Sequence, residues 1–206
     1  MKIRKRMTEN ETDLPAYRFN RDEKDMKQKI LVVVDMQNDF INGSLGTAEA
    51  EKIVPAVCGK IADAREAGAL VFATMDTHSE NYMNTREGRF LPVPHCIKGT
   101  SGWLINEQVA EALEGCRVLE KYSFGSLQLP DAVTEELQTR GISPRDAEIE
   151  LIGLCTDICV VSNALILKAR FPETDLKVDA ACCAGVTPEK HLAALETMRS
   201  CQIEII

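Results

Sequence analysis

The stretch GLCTDICVVSNAL, residues 153–165, places Cys159 where an apolar strand is predicted to end and a helix to begin. The first N–H groups of a helix point toward a side chain at such a position, and the helix dipole favours negative charge there. We therefore expect Cys159 to ionise near neutral pH, which makes it a candidate nucleophile.

Two charged residues end other apolar strands and could serve that nucleophile. Asp35 closes the run ILVVVD, and Lys121 closes the run CRVLEK. An acid at a strand end often only caps the next segment, and a strand-end lysine is often a solvated flank. Beside Cys159, however, Asp35 would accept a proton, and Lys121 would be the cation that keeps this acceptor ionised.

A second group of residues has the composition of a metal site. Asp76 and His78 are two residues apart at the end of the predicted strand ALVFATMD, so their side chains leave on the same face. The downstream segment TREGRFLPVPHCIKGTSGW adds Glu87 and His95. Imidazole and carboxylate are ligands for zinc and other first-row metals, so the sequence predicts a divalent metal site. His191 lies within a helical pattern, and we interpret it as structural.

Short apolar runs alternate with helical patterns from Ile30 onward, which is typical of βαβ units and a parallel sheet buried on both faces. Helices are predicted at 50–68, 103–114, 130–141, 157–169 and 187–200, and strands at 30–35, 69–76, 116–121, 147–154, 176–181 and 201–206. The fold class is therefore α/β, a three-layer α/β/α sandwich with a six-stranded parallel sheet. Chemistry in such folds collects at the carboxyl ends of the strands.

Composition narrows the class of partner. The formal net charge of −8 over 206 residues argues against a nucleic-acid binder and a polybasic membrane surface, so we expect a small-molecule partner. The eight cysteines, without a signal peptide or a spanning apolar run, are interpreted as cytoplasmic thiols. Residues 1–29 alternate in charge and are interpreted as an arm that precedes a hydrolase domain at 30–206.

Taken together and in order, the motifs resemble those of the isochorismatase-like cysteine hydrolases. They are D-x-Q-N-D-F after the first strand, D-T-H, P-x-P-H-C-x-x-G-T-x-G-W, the strand-end lysine and GLCTDICV, and they span the region 30–206. The metal motif makes the chain similar to the nicotinamidases within that family. The resemblance implies a catalytic triad of Asp35, Lys121 and Cys159.

The resemblance also implies a cofactor and a substrate pocket. The metal would be zinc, or else manganese, iron or magnesium, and its ligands would be Asp76, His78, Glu87 and His95. Many nicotinamidases have a third histidine as ligand where this chain would use Glu87, and the spacing leaves Asn84 as an alternative. Backbone N–H groups of Cys155 and Cys159 would form the oxyanion hole, after a cis peptide bond that precedes Cys155. The expected substrate contacts are Phe40, which would stack on a pyridine ring, Leu91 and Tyr122.

The implied activity is hydrolysis of nicotinamide to nicotinate and ammonia through a cysteine thioester, for NAD salvage. A homo-oligomer is compatible with the sequence. One alternative keeps the triad but acts on an N-carbamoyl or ureido substrate, or on a vinyl ether. Two others are a non-catalytic module on the same scaffold and a thiol redox protein that uses Cys155 with Cys159, or Cys182 with Cys183.

Overall fold

A computed structural model describes residues 27–206 as a six-stranded sheet covered by helices on both faces. All strand pairs are parallel, and the strand order is β3-β2-β1-β4-β5-β6. The strands are β1 (Gln28–Val34), β2 (Leu70–Asp76), β3 (Arg117–Lys121), β4 (Ala147–Leu154), β5 (Asp175–Ala184) and β6 (Glu204–Ile205). The predicted fold class is confirmed.

Seven α-helices are found in the described part of the chain. They are α1 (Asn38–Ile41), α2 (Ala48–Glu66), α3 (Arg86–Phe90), α4 (Glu107–Ala112), α5 (Gln128–Thr139), α6 (Val161–Arg170) and α7 (Pro188–Ser200). None of the helices in residues 27–206 has the length and apolar character needed to cross a membrane.

Strand β1 shows why the layers form. Ile30, Val32 and Val34 pack into a core with helices α5, α6 and α7, whereas Leu31 and Val33 pack into a second core with α2 and α4. Successive side chains of a strand point to opposite faces, so a continuous apolar run fills both cores. Such a strand is stable only in the middle of a sheet covered on both sides.

The amino-terminal boundary differs slightly from the predicted one. Strand β1 begins at Gln28, two residues before the predicted start at Ile30, and Gln28 pairs with Ala147 of β4. Most of the predicted arm, residues 1–26, lies outside the described residues.

The helix predicted at 103–114 is shorter than expected. Ile105 pairs with Gln37 in an isolated bridge, and the Asn106 N–H donates to the Met36 carbonyl. Asn106 then caps α4 by accepting from the Gln108 N–H. Residues 103–106 therefore stay outside the helix, because Ile105 and Asn106 pair with residues after β1, a long-range contact that helical periodicity does not reveal.

The last strand is also shorter than predicted. Helix α7 ends at Ser200, and Gln202 has a φ of 63°, in the left-handed region. This turn occupies the first residues of the predicted strand 201–206, so β6 contains only Glu204 and Ile205.

Candidate active site

The predicted triad lies at the carboxyl ends of neighbouring strands. Asp35 follows β1, Lys121 ends β3, and Asp76 ends β2 between them, directly opposite Lys121 in the register. Cys159 follows β4, on the other side of β1. The strand order therefore brings together four residues that are far apart in sequence.

Lys121 is at the centre of the group. Its Nζ lies 2.8 Å from Asp35 Oδ2, 3.0 Å from Asp76 Oδ1 and 3.5 Å from Cys159 Sγ. Thr74 Oγ1 donates to the other oxygen of Asp35 at 2.7 Å. All these side chains are buried, so their interactions are only weakly screened by water.

The backbone at the end of β1 is specialised. Asp35 has a φ of 48°, a left-handed conformation that is uncommon for a residue with a side chain. Beside it, Gly153 of β4 has a φ of 114°, and a Cβ there would lie 2.1 Å from the Val34 carbonyl oxygen. Glycine at this position lets β1 and β4 approach closely where the candidate catalytic residues emerge.

Burial controls the electrostatics of the group. It raises the pKa of the Cys159 thiol well above its ordinary value, and the negative charge of Asp35 raises it further, while Lys121 opposes both. Burial likewise raises the pKa of Asp35 against the pull of Lys121. Burial alone would lower the pKa of Lys121, but Asp35, Cys159 and Asp76 outweigh it and raise this pKa.

The predicted ionisation of Cys159 near neutral pH is therefore wrong for the resting site. The residue lies in a π-helical turn, Thr156–Val160, that leads into α6, and the stabilisation expected at a helix start does not offset burial and the Asp35 charge. A protonated thiol beside a carboxylate and an ammonium group is the arrangement expected when a base must remove the proton during the reaction.

Four side chains offer ligand atoms to one point next to this group. Ligand atoms of Asp76, His78, Glu87 and His95 all lie within 4.8 Å of one another. Glu87 Oε1 is 3.7 Å from Nε2 of each histidine, and Asp76 Oδ2 is 3.0 Å from His78 Nε2. Asn84, the alternative to Glu87, is exposed and donates to Asn81 Oδ1.

The donor set fits a divalent metal ion. His95 Nδ1 lies 2.9 Å from the Val93 carbonyl oxygen, which can only accept, so Nδ1 carries the proton and the Nε2 lone pair faces the group. Two imidazoles and two carboxylates that converge in a largely buried site are suited to zinc and similar ions.

A cavity of about 210 Å³ opens onto both groups. The predicted contacts Phe40 and Leu91 line it, together with Cys155 and Cys159. The predicted contact Tyr122 does not, because its side chain is 69% exposed and its hydroxyl lies near Glu120 Oε2. Phe124, two residues further along, lines the cavity instead. The remaining lining residues are Leu45, Asp76, Glu87, His95, Ile158, Val186 and Lys190.

The predicted oxyanion residues lie in the turn after β4. The Leu154–Cys155 peptide bond is cis, as the resemblance implies. The Cys155 carbonyl accepts from the N–H groups of Ile158 and Val160, which closes the turn that carries Cys159.

Two buried amides that the sequence analysis missed hold the site in place. Gln37 accepts from the Asp76 N–H at 2.7 Å and donates to the carbonyls of Asp76 and Trp103. Asn163 donates to the Cys159 carbonyl at 2.8 Å and accepts from the Ser126 N–H at 2.9 Å. The only sequence signal for Gln37 is its place in the polar segment after β1.

The histidine that we interpreted as structural is not among the residues that line the cavity. His191 Nδ1 is 2.8 Å from Thr156 Oγ1, a contact that joins α7 to the turn carrying Cys159. All eight cysteines are free thiols.

Comparison with known proteins agrees with this geometry. A family model described as the Isochorismatase domain matches residues 29–206. A nicotinamidase/pyrazinamidase from Mycobacterium tuberculosis is 28% identical over 190 residues, which cover 86% of this chain and 98% of that protein.

Two solved structures are similar over nearly their full length. The pyrazinamidase of Pyrococcus horikoshii in complex with zinc has a TM-score of 0.70 and 29% identity, over 87% of this chain and 98% of that chain. The N-carbamoylsarcosine amidase of Thermoplasma acidophilum has a TM-score of 0.68 and 28% identity, over 86% and 95%. With the family model covering most of its length, the chain belongs to the isochorismatase family of hydrolases.

Proposed function

We propose that this hydrolase converts nicotinamide to nicotinate and ammonia through a thioester on Cys159, a cytoplasmic reaction that returns the pyridine ring to NAD synthesis. The observation that carries the proposal is the position of Asp76. Its Oδ1 lies 3.0 Å from Lys121 Nζ in the triad, and its Oδ2 lies 3.0 Å from His78 Nε2 in the metal-ligand group. The Asp76 carboxylate thus contacts both the triad that contains the nucleophile Cys159 and the group of metal ligands, where a bound ion would hold the ring nitrogen of the substrate.

In the first half of the reaction, Asp35 takes the thiol proton and Cys159 Sγ attacks the carboxamide carbon. The backbone N–H groups of Cys155 and Cys159 donate to the oxyanion, a contribution of about 3 kcal/mol per donor in well-studied enzymes. Asp35 then gives its proton to the leaving nitrogen, so that ammonia departs and a thioester remains.

In the second half, water attacks the thioester carbonyl while Asp35 accepts its proton. Collapse of the second tetrahedral adduct releases the carboxylic acid, and the proton held by Asp35 returns to the Cys159 sulfur. Lys121 stays protonated throughout, because a single negative charge passes from Asp35 to Cys159 Sγ, then to the oxyanion of each tetrahedral adduct, and back to Asp35, and Lys121 contacts both Asp35 and Cys159. The cavity thus keeps a constant net charge through the cycle.

We propose that Asp76, His78, Glu87 and His95 hold a divalent ion, with zinc favoured over manganese, iron and magnesium. When bound, such an ion supplies a Lewis-acidic centre that binds a heterocyclic nitrogen and orients the ring. Phe40 supplies an aromatic wall next to it, with ring centroids 5.6 Å apart between Phe40 and His95. A flat ring held at these two places would present its carboxamide to Cys159.

The similar proteins support this choice of substrate and metal. The relative from Mycobacterium tuberculosis is named a nicotinamidase/pyrazinamidase, and the pyrazinamidase structure from Pyrococcus horikoshii is a zinc complex. Pyrazinamide has the same flat shape and an equivalent ring nitrogen, and we expect it to be hydrolysed as well.

A second candidate activity is hydrolysis of an N-carbamoyl or ureido substrate. It is favoured by the similarity to an N-carbamoylsarcosine amidase and by a lysine, Lys190, among the residues that line the cavity. The metal-ligand group argues for nicotinamide, because a ureido substrate has no ring nitrogen to bind. The thiol redox alternative is disfavoured, since burial raises the pKa of Cys155 to about 12 and of Cys182 to about 11.

The test is ammonia release from nicotinamide by purified protein, before and after treatment with a chelator and after return of zinc or manganese. We expect release that chelation abolishes, that metal restores and that Cys159→Ala eliminates. N-carbamoylsarcosine is assayed in parallel. Release from that compound alone, unaffected by chelation, would replace the nicotinamide proposal with the second candidate.

A further inference from the structure

Lys190 is the one Lys or Arg side chain among the residues that line the cavity. It lies in the first turn of α7, and its side chain is exposed at the cavity mouth. Within the described region, 27–206, the ion pairs formed by lysines do not include Lys190. Its charge is therefore available to a molecule in the cavity.

The position of this charge in the helix is unfavourable. The amino-terminal end of a helix carries partial positive charge, so that a cation there is repelled and an acid is preferred. Glu189 follows that preference, whereas Lys190 opposes it. Helix stability thus gives no reason for a lysine at this position.

The mouth is connected directly to the turn that carries the nucleophile. Asp157 Oδ1 accepts from the Val186 N–H at 2.9 Å, and Thr156 Oγ1 lies 2.8 Å from His191 Nδ1. Both contacts tie the start of α7 to the turn Thr156–Val160. The Lys190 backbone is therefore fixed relative to Cys159, while its side chain is free to reach into the mouth.

The other charges facing the cavity lie in the metal-ligand group. They are Asp76, Glu87 and His95, and the rest of the lining consists mainly of apolar side chains, among them Phe124 and Val186. A ligand with an apolar body and a negative group remote from the metal end would match this distribution.

We propose that Lys190 is a specificity-determining residue: among carboxamides larger than nicotinamide it favours those that carry a second, anionic group of the carboxylate class, remote from the amide to be cleaved, while nicotinamide itself binds without this contact. The carboxylate pairs with the ammonium group at the mouth while the amide reaches Cys159. This inference deepens the proposed amide hydrolysis and rests on it for the position of the amide.

The test compares two ligands of one shape and different charge. They are 5-carbamoylpyridine-3-carboxylate and the neutral 5-acetylpyridine-3-carboxamide, and their binding to zinc-loaded Cys159→Ala protein is measured by calorimetry at low ionic strength. We expect the acid to bind about fivefold tighter, as for an exposed ion pair, and the preference to disappear in 0.5 M salt.

Three further substitutions, each made in the Cys159→Ala protein, test whether Lys190 causes the preference for the acid. Lys190→Gln should reduce the ratio of affinities to about one, and Lys190→Arg should keep it, because the charge is what matters. Lys52→Gln is the matched control, since Lys52 belongs to α2 and does not line this cavity. An unchanged ratio in Lys190→Gln, or equal affinities in the parent, overturns the inference.

A kinetic arm uses the active enzyme with and without Lys190→Gln. The ratio of kcat/KM for the acid over the acetyl compound should fall about fivefold in the variant. Binding is measured without turnover, so the two proposals fail separately. If the protein prefers the acid but releases no ammonia from any carboxamide, the hydrolysis is rejected and the Lys190 assignment is kept. If it releases ammonia but shows no preference for the acid, the Lys190 assignment is rejected and the hydrolysis is kept.

Discussion

Lys121 Nζ lies 2.8 Å from Asp35 Oδ2, and neither side chain is more than 1% exposed. Each charge compensates the other in a buried environment, so removal of one leaves the other without its partner. Removal of one partner of a buried pair typically costs about 3–5 kcal/mol, because the other charge is left uncompensated. Loss of either partner should therefore lower the stability of the fold as well as the activity.

Substitution of Lys121 by methionine should lower kcat far more than it changes KM. Without the ammonium group the pKa of Asp35 rises further, so Asp35 is protonated and cannot accept the thiol proton. We also expect the free energy of unfolding to fall by about 3 kcal/mol, measured with urea. Lys98→Met is the control, because Lys98 pairs with Glu120 in an exposed bridge and should change stability by less than about 1 kcal/mol. A loss seen only as a raised KM would contradict the assigned role.

Asp35→Asn should separate thiol reactivity from turnover. Burial is the largest cause of the raised pKa of Cys159, and the negative charge of Asp35 is the second largest. The substitution removes this charge and leaves Lys121, which lowers the pKa. The thiol pKa should fall, and alkylation of Cys159 by iodoacetamide at pH 7, followed by mass spectrometry, should become severalfold faster. Ammonia release should nevertheless be lost, because no proton acceptor remains. An unchanged alkylation rate would show that Asp35 is not coupled to the thiol, and a slower rate would show that its charge does not raise the thiol pKa.

The pH dependence of stability tests the same carboxylate. The folded pKa of Asp35 is raised above the ordinary value of 3.8, so the native state holds this proton more tightly than the unfolded state does. The associated stability is fully present below pH 3.8 and is lost as the pH rises through the raised pKa. The free energy of unfolding, measured by urea titration at a series of pH values above 3.8, should therefore decrease with pH in the parent protein. This decrease should be absent in Asp35→Asn. Parallel pH profiles for the variant and the parent would contradict the shift.

The fold and most of the site were predictable because both depend on where apolar strands end. The run ILVVV specifies a central strand, and the parallel sheet then places Asp35, Asp76 and Lys121 side by side. The state of Cys159 was not predictable, since its pKa depends on burial that only the packed structure reveals. Gln37 was missed for a related reason, because its partners are backbone groups 39 and 66 residues away in sequence.

The choice between Glu87 and Asn84 as a metal ligand can be tested by metal content. Glu87 Oε1 lies 3.7 Å from Nε2 of both His78 and His95, whereas the Asn84 side chain bonds to Asn81. Glu87→Gln removes a negative ligand, so we expect weaker zinc binding in titrations against a competing chelator, whereas Asn84→Ala should retain the parent affinity. The reverse order of the two affinities would make Asn84 the ligand.

The pocket wall can be tested by a matched pair of aromatic residues after β3. Phe124 lines the cavity with a side chain that is 49% exposed, whereas Tyr122 points away from it with 69% exposed. Phe124→Ala should raise KM for nicotinamide about three- to tenfold, the loss expected for one aromatic contact, with little change in kcat. Tyr122→Ala should leave both constants near those of the parent, and Phe124→Leu should recover part of the loss because it restores apolar surface. A larger rise in KM for Tyr122→Ala than for Phe124→Ala would mean that the loop closes on substrate in another arrangement, with Tyr122 as the wall that the sequence predicted.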